Sequence, residues 1–454
     1  MFCDTEILNK YKKIHFIGIG GSGMSALAEI LFSEGYELTG SDNNESDTLS
    51  RIKSLGISVK MGHSEENVIG AQLVVHTAAV HEDNPELVAA RRLNIPVIDR
   101  AQMLGLISLR YPYTIAVSGT HGKTTTTCML TQIMLTAGLD PTAVIGGKLP
   151  LIGGNSRVGH SETMVCEACE FVDSFLSLYP AVSIILNIDA DHLDYFKTMQ
   201  NLIAHFKMFA SQTSELLIIN ADDENTLKAV ENSKLRKITF GFNVKNDYYA
   251  ENIINDNRGK PSFDLCHKGE KIGHIVMKVP GKHNILNALA AVAAAIEAGA
   301  SIDAVEKGLS EFTGAGRRFE ILGNKNGVTI ADDYAHHPAE LKATLEAAVN
   351  MGYKRIWAVF QPFTYSRTVT HMDDFAKVLQ LADKVVLAEI MGSREVNTFN
   401  VYSKDLAAKI PGSVWFENFE KIAEYVMENA TEGDLVITMG CGDIYKAAKI
   451  MLKK

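Results

Sequence analysis

Residues 14–28 read IHFIGIGGSGMSALA and residues 114–127 read TIAVSGTHGKTTTT, and these two stretches decide the fold. Each passes from a short apolar segment, Ile14–Ile17 or Thr114–Val117, through a glycine-rich loop into a helix-forming sequence. A strand–loop–helix junction of this kind turns unpaired backbone N–H groups toward phosphate. The first loop has G-x-G-x-x-G spacing at Gly18, Gly20 and Gly23, and Asp42 ends the next strand, where dinucleotide folds place a ribose-binding acid. By itself it is a nucleotide site or only a tight turn. It does not specify the nucleotide, for which NAD is the usual choice. The second loop keeps Gly119, Gly122, Lys123 and Thr124 of a P-loop, but Val117 stands where the full pattern has glycine. Lys123 and the loop amides suit the phosphates of ATP or a similar triphosphate, and the Thr124 hydroxyl suits Mg²⁺. Two loops of different design point to an enzyme that brings two phosphorylated molecules together.

Around these loops the chain alternates strands and helices. Segments 14–17, 36–40, 57–60, 72–76 and 95–98 read as strands, with helices at 23–34, 46–54 and 84–92. This rhythm predicts a parallel sheet covered on both faces. It restarts at Tyr113, with strands at 163–166, 182–187 and 215–219, whereas 237–279 reads as an antiparallel patch before the helix 282–298. A third restart follows Thr313-Gly-Ala-Gly-Arg-Arg318. The expectation is an α/β protein of three domains, 1–110, 111–314 and 315–454.

The bulk composition narrows the class. A chain of 454 residues exceeds one ordinary core. A net charge of −10 argues against a nucleic-acid polymer as partner, but leaves small anions open. The polar start, MFCDTEILNKYKK, is no signal peptide, and no run reaches the length of a membrane span. Six scattered cysteines (3, 128, 166, 169, 266 and 441) favour reduced thiols in the cytoplasm.

Candidate metal ligands follow two strands. Glu167 pairs naturally with Thr124 around Mg²⁺, which prefers oxygen. His192 is either a further ligand or a hydrogen-bonded loop residue. Cys166 and Cys169 form a C-x-x-C that reads as inert buried thiols, with redox or zinc chemistry as the alternative. His336 and His337, being adjacent, point different ways and suit substrate contact or packing better than one ion. Arg317-Arg318 is a solvated pair or a phosphate clamp at a domain junction.

Taken in order, these motifs resemble the Mur ligases of peptidoglycan synthesis over the whole chain. The resemblance rests on the two stretches above and on CEACEFVDSFL (166–176), NIDADHLDYF (187–196), GKHNILNALAA (281–291), GAGRRFE (314–320) and DDYAHHPAE (332–340). It implies a Rossmann-like N-terminal domain, a P-loop ATPase-like central domain and a Rossmann-like C-terminal domain. It implies an ATP-dependent, amide-bond-forming ligase that joins L-alanine to the lactyl carboxylate of UDP-N-acetylmuramate through an acyl phosphate. UDP, not NAD, would then lie on Gly18, Gly20, Gly21, Ser22 and Gly23, with Asp42, His76 and Thr77 beside it. ATP would lie on Gly119, Thr120, His121, Gly122, Lys123, Thr124 and Thr125, with Asn284 and Asn287 by the adenine and Arg318 and Asp333 reaching it from the third domain. Thr124, Glu167 and His192 would hold magnesium. His337 and Arg367 would serve the lactyl or amino-acid side. A cytoplasmic monomer or homodimer without membrane insertion is expected.

Three departures from the family pattern stand out. Phe363 replaces the usual histidine in Gln361-Pro-Phe-Thr-Tyr365, and Cys169 replaces an aspartate in Glu167-Ala-Cys-Glu170. Lys207 stands near the spacing at which other Mur ligases carry a carbamylated lysine, which the alanine-adding members usually lack. The rival readings are a recycling ligase that attaches a preformed tripeptide to the same sugar, an NAD(P)-dependent dehydrogenase with an accessory domain, and a non-catalytic nucleotide sensor. Glu170–Leu176 favours the alanine-adding type over the first, and Gly122-Lys-Thr124 has no role in the second.

Overall fold

A computed structural model of the chain describes residues 8–393 and 395–453, so Cys3 lies outside the described residues. Strand Lys13–Ile17 forms because Ile14, Phe16 and Ile17 are apolar and buried, as a strand covered on both faces requires. It is the middle of a five-stranded parallel sheet, ordered Ser58–Met61, Glu37–Asp42, Lys13–Ile17, Leu73–His76, Val97–Asp99. The chain order reverses between Lys13–Ile17 and Leu73–His76, which opens a crevice at their carboxyl ends. The first glycine loop and the pair His76-Thr77 both lie there.

A ten-stranded sheet has Tyr113–Ser118 near its middle, between Val182–Ile185 and Thr163–Glu167, both parallel to it. These three carboxyl ends carry the P-loop, the 187–192 loop and Glu167. Beyond Thr163–Glu167 the sheet ends in an antiparallel hairpin, Thr142–Leu149 with Gly154–Arg157. A six-stranded sheet follows, ordered Glu320–Lys325, Val328–Asp333, Leu435–Met439, Ile356–Phe360, Lys384–Ala388, Val414–Phe416, with only the Glu320–Lys325 edge antiparallel. Apolar clusters cover both faces of this sheet, one around Phe360 and Leu387 and the other around Trp357 and Val436.

The α/β class and its three sheet-bearing regions follow the sequence reading. By packing, the chain forms two compact units. One takes the chain through Ala250 with Leu265–Gly273 and Leu286–Leu309; the other takes Glu251–Asp264, His274–Ile285 and everything from Ser310 onward. The region expected to be antiparallel begins otherwise. Arg236–Gly241 runs parallel to Leu216–Asn220, and Tyr248–Asn255 joins it in parallel at Phe240 and Gly241. The turn between them is gripped by Asp222, whose carboxylate accepts the amides of Phe242 and Asn243 and an amide proton of the Asn246 side chain. Among the described residues no helix is long and apolar enough to cross a membrane.

Candidate active site

The first loop is shaped by close backbone approach. Gly18 has φ +78°, and a Cβ there would lie 2.7 Å from Thr77 Cγ2. Ser41, at the end of the neighbouring strand, accepts the amides of Gly18 and Ile19 on its carbonyl at 2.8 and 3.1 Å. Asp42 Oδ2 accepts the Gly20 amide at 2.9 Å, so this acid braces the loop itself. Helix Ser22–Ser33 follows, and no side chain caps its N-terminus at Gly21. Beneath the loop, the Ser41 hydroxyl donates to the buried Glu86 at 2.7 Å, and Asn67 and His63 also contact that carboxylate. Burial alone would raise the Glu86 pKa, but the nearby His15 ring and the hydrogen bonds from Ser41 and Asn67 outweigh it and the pKa is lowered. At the end of Leu73–His76, Thr77 donates its amide to the Ile17 carbonyl at 3.3 Å, and His76 Nδ1 lies 3.2 Å from the Thr77 carbonyl.

The second loop is fixed from its far side. The Asn187 side chain accepts the His121 amide at 2.8 Å and donates to its carbonyl at 3.0 Å, while the Thr120 hydroxyl accepts the Asp189 amide at 2.9 Å. Gly122 caps helix Lys123–Thr136 at φ +87°, and the Asn287 side-chain oxygen occupies the space a Cβ would need. Lys123 Nζ donates to the carbonyls of Gly119 and Thr120 at 2.6 and 3.1 Å and to Glu170 Oε2 at 2.8 Å. Burial would lower the lysine pKa, but the Glu170 carboxylate outweighs it and the pKa is raised. Thr124 Oγ1 donates to Glu167 Oε2 at 3.2 Å. Two oxygens held this close at a helix N-terminus suit a hard divalent cation. Thr125 is buried in the next position of the same turn.

The terminal hairpin joins the two loops. The Gly146 amide donates to Glu167 Oε1 at 2.5 Å, and a Cβ at Gly146 would fall 2.5 Å from Glu167 Oε2. On the returning strand, the Asn155 side-chain Nδ2 donates to the Ser22 carbonyl at 2.7 Å and to that of Ile145 at 3.4 Å. Ser156 donates to the buried Glu29 of helix Ser22–Ser33 at 2.7 Å, and Arg51 pairs with the same carboxylate. One hairpin therefore touches both the helix that opens on the first loop and the carboxylate beside the second.

In the other compact unit, Asp333 accepts the amides of Phe319 and Ala335, each at 2.7 Å. Burial pushes its pKa up to about 6 against the pull of Arg318. The Arg318 guanidinium lies 4.9 Å over the Tyr334 ring, whereas Arg317 is tied to Asp332 and the Gly440 carbonyl. His337 caps helix Pro338–Val349 in a reciprocal box with Glu340, its ring 4.9 Å from that of His371. The ring of its neighbour His336 lies 3.1 Å from the same carboxylate, so Glu340 engages both histidines. Arg367, on helix Tyr365–Thr370, lies in the field of Cys441. Phe363, in place of the usual histidine, makes a distant edge contact with His336 at 6.5 Å. Asn284, buried on helix Lys282–Glu297, donates to the Pro280 carbonyl at 2.6 Å; Asn287, buried farther along the same helix, belongs to the first unit.

Thr124 and Glu167 are thus brought together. His192 stands with its ring 4.6 Å from that of Phe171 and its amide on Asp191. Among the described residues no three His, Cys, Asp or Glu side chains converge as a metal-ligand group. Lys207 is exposed on helix Met199–Gln212, and its ammonium makes no hydrogen bond or ion pair among the described residues. Cys166 and Cys169 are free thiols; burial pushes Cys166 up to about 12 and raises Cys169, which suits inert packing. Sequence reasoning missed Glu170, Asn187, Gly146 and Asn155. Only Glu170 carried a signal, as a second acid three residues beyond Glu167.

Comparison with known proteins covers the same regions. Residues 13–112 match the Mur ligase family, catalytic domain; 117–295 match the Mur ligase middle domain; 317–442 match the Mur ligase, glutamate ligase domain. The chain is 48% identical over 452 residues to the UDP-N-acetylmuramate–L-alanine ligase of Acetivibrio thermocellus, covering 98% of this chain and 96% of that one. Its fold is similar to the crystal structure of the UDP-N-acetylmuramate–alanine ligase of Thermotoga maritima, with TM-score 0.83, 31% identity and coverage of 97% and 98%. It is also similar to a murein peptide ligase of Psychrobacter arcticus, with TM-score 0.75, 26% identity and coverage of 97% and 98%. The chain belongs to the Mur ligase family.

Proposed function

We infer that the chain joins L-alanine to the lactyl carboxylate of UDP-N-acetylmuramate at the expense of ATP, in peptidoglycan precursor synthesis. The observation that carries the chemistry is the pairing of two phosphate-type loops with Lys123, Thr124 and Glu167 at the second of them. The identity of the acceptor is supported by full-length relatives named for this reaction.

In the proposed division, 1–110 holds the UDP-sugar on Gly18–Gly23 with Asp42, His76 and Thr77. Residues 111–314 hold ATP on Gly119–Thr125 with Asn284 and Asn287. Residues 315–454 add Arg318 and Asp333 for ATP and His337 and Arg367 for the lactyl or amino-acid side. The lactyl carboxylate attacks the γ-phosphoryl group, ADP leaves, and an acyl phosphate forms. The alanine amine then attacks the acyl carbon, and phosphate departs through a tetrahedral intermediate.

A carboxylate approaching a polyanion is repelled, so the site must neutralise and position rather than form covalent bonds of its own. Lys123 supplies fixed positive charge, and the loop amides orient the phosphates. Mg²⁺ held by Thr124 and Glu167, with His192 as a further ligand, would neutralise phosphate charge when bound. The nucleotide-linked substrates fit a cytoplasmic enzyme.

The test mixes protein, ATP, Mg²⁺ and UDP-N-acetylmuramate with alanine, glycine, serine or tripeptide, and follows phosphate release and product mass. Alanine should be the best acceptor. Glycine and serine should show some turnover, because one methyl group discriminates by only about 1–3 kcal/mol. Phosphate release confined to tripeptide would move the chain to the recycling reaction, and none with any acceptor would end the ligase reading.

A further inference from the structure

Arg100 begins helix Arg100–Ser108 directly after strand Val97–Asp99, at the same carboxyl edge as the first glycine loop. Its side chain lies along Gly23. A Cβ built at Gly23 would stand 3.0 Å from Arg100 Cδ, 3.4 Å from one terminal nitrogen and 3.5 Å from Nε. Gly23 is the third glycine of the motif, where the usual demand is close packing of helix on strand. Here the neighbour that needs the space is a cationic side chain.

The charge of Arg100 is not neutralised nearby. Among the described residues its half-buried guanidinium makes no hydrogen bond or ion pair. The adjacent Asp99 is committed elsewhere, because its carboxylate caps the helix by accepting the Gln102 amide at 2.8 Å. Helix Arg100–Ser108 packs against Phe171–Ser177, the segment that directly follows Glu170, the partner of Lys123.

We propose that Arg100 is the side-chain cation of the UDP-sugar site, laying its guanidinium against the diphosphate while the uncapped helix amides hold the opposite oxygens. The planar five-donor group suits two phosphate oxygens at once, which a lysine would not match. The inference rests on the reading of Gly18–Gly23 as a UDP loop.

The experiment measures UDP and a non-hydrolysable ATP analogue by calorimetry on the full chain and on Arg100→Ala, Arg100→Lys and Gly23→Ala, each checked for an unchanged melting curve. Arg100→Ala should weaken UDP roughly 10- to 100-fold and leave the ATP analogue within about twofold. Arg100→Lys should recover part of the loss, and Gly23→Ala should reproduce it by displacing the arginine. Should the parent bind no UDP, the loop reading itself fails. If the parent binds UDP and Arg100→Ala binds it equally well, the proposal alone falls. Parallel loss of both ligands, or normal UDP binding by Gly23→Ala, would also overturn it.

Discussion

Lys123 Nζ lies 2.8 Å from Glu170 Oε2, with the side chains 16% and 3% exposed. Its remaining donors are on the Gly119 and Thr120 carbonyls, so all three N–H bonds of the ammonium are engaged. The lysine is therefore held within the loop by the protein itself. A phosphate oxygen gains it only by exchange with one of these acceptors, and Glu170 is the charged one.

Lys123→Ala should lower ligation by at least roughly 10²-fold, the usual scale for losing one preorganised donor to a developing charge. UDP-sugar affinity should stay within about twofold, since Lys123 and Gly18–Gly23 follow strands of different sheets. Calorimetry showing equal loss of UDP-sugar binding would remove the two-site division.

Glu170→Ala leaves a mostly buried ammonium without its counter-charge. It should destabilise the protein by about 3 kcal/mol. The double change Lys123→Met with Glu170→Leu should recover most of that, because the remaining carbonyls no longer face an unpaired charge. Urea unfolding of the parent, Lys123→Met, Glu170→Leu and the double variant is the check, and additive losses would contradict a direct pair.

Gly146→Ala should imitate Glu167→Gln. The added methyl falls within 2.5 Å of Glu167 Oε2 and also disturbs the amide that holds Oε1. Both variants should raise the Mg²⁺ concentration for half-maximal activity by roughly 10- to 100-fold. A normal Mg²⁺ titration for Glu167→Gln would exclude that carboxylate from the metal site.

Asp333 gives a pH signature. Its folded pKa is raised from 3.8 to about 6, so the folded state binds more protons than the unfolded state across that window. Stability contributed by the protonated acid is complete below about pH 4 and is lost as pH rises through about 6, up to about 3 kcal/mol. The difference in unfolding free energy between the parent and Asp333→Asn should therefore change between pH 4 and 7 and level off above. A flat difference would show that Asp333 is ionised throughout.

Much of the fold was legible because its strands are short apolar runs ended by turn residues. Lys13–Ile17, Tyr113–Ser118 and Leu435–Met439 each follow that rule. Helix Arg100–Ser108 was not, because Asp99 is both the last strand residue and the helix cap, leaving no loop to read. The Thr142–Arg157 hairpin was hidden by its five glycines and prolines between 146 and 154 (Gly146, Gly147, Pro150, Gly153 and Gly154), which read as loop. In the site, Thr124 and Glu167 were readable because the chemistry demands an oxygen donor at a strand end. Asn155 was not, since it acts through Ser22, far away in sequence, and spacing along the chain carries no trace of that; Glu170 showed only as a second acid beyond Glu167, with nothing to name Lys123 as its partner.

The hairpin that reaches Ser22 with one strand and Glu167 with the other makes the two glycine loops, proposed here to hold the two nucleotides, share a wall. A small molecule wedged under its tip at Leu149–Gly153 would loosen both ends together while occupying neither site. Its inhibition would lower kcat without moving the KM of ATP or of the UDP-sugar, and raising either substrate would not relieve it. Resistance to such a compound would have to arise in the hairpin, where a change at Gly146 is expected to disturb Glu167 as well.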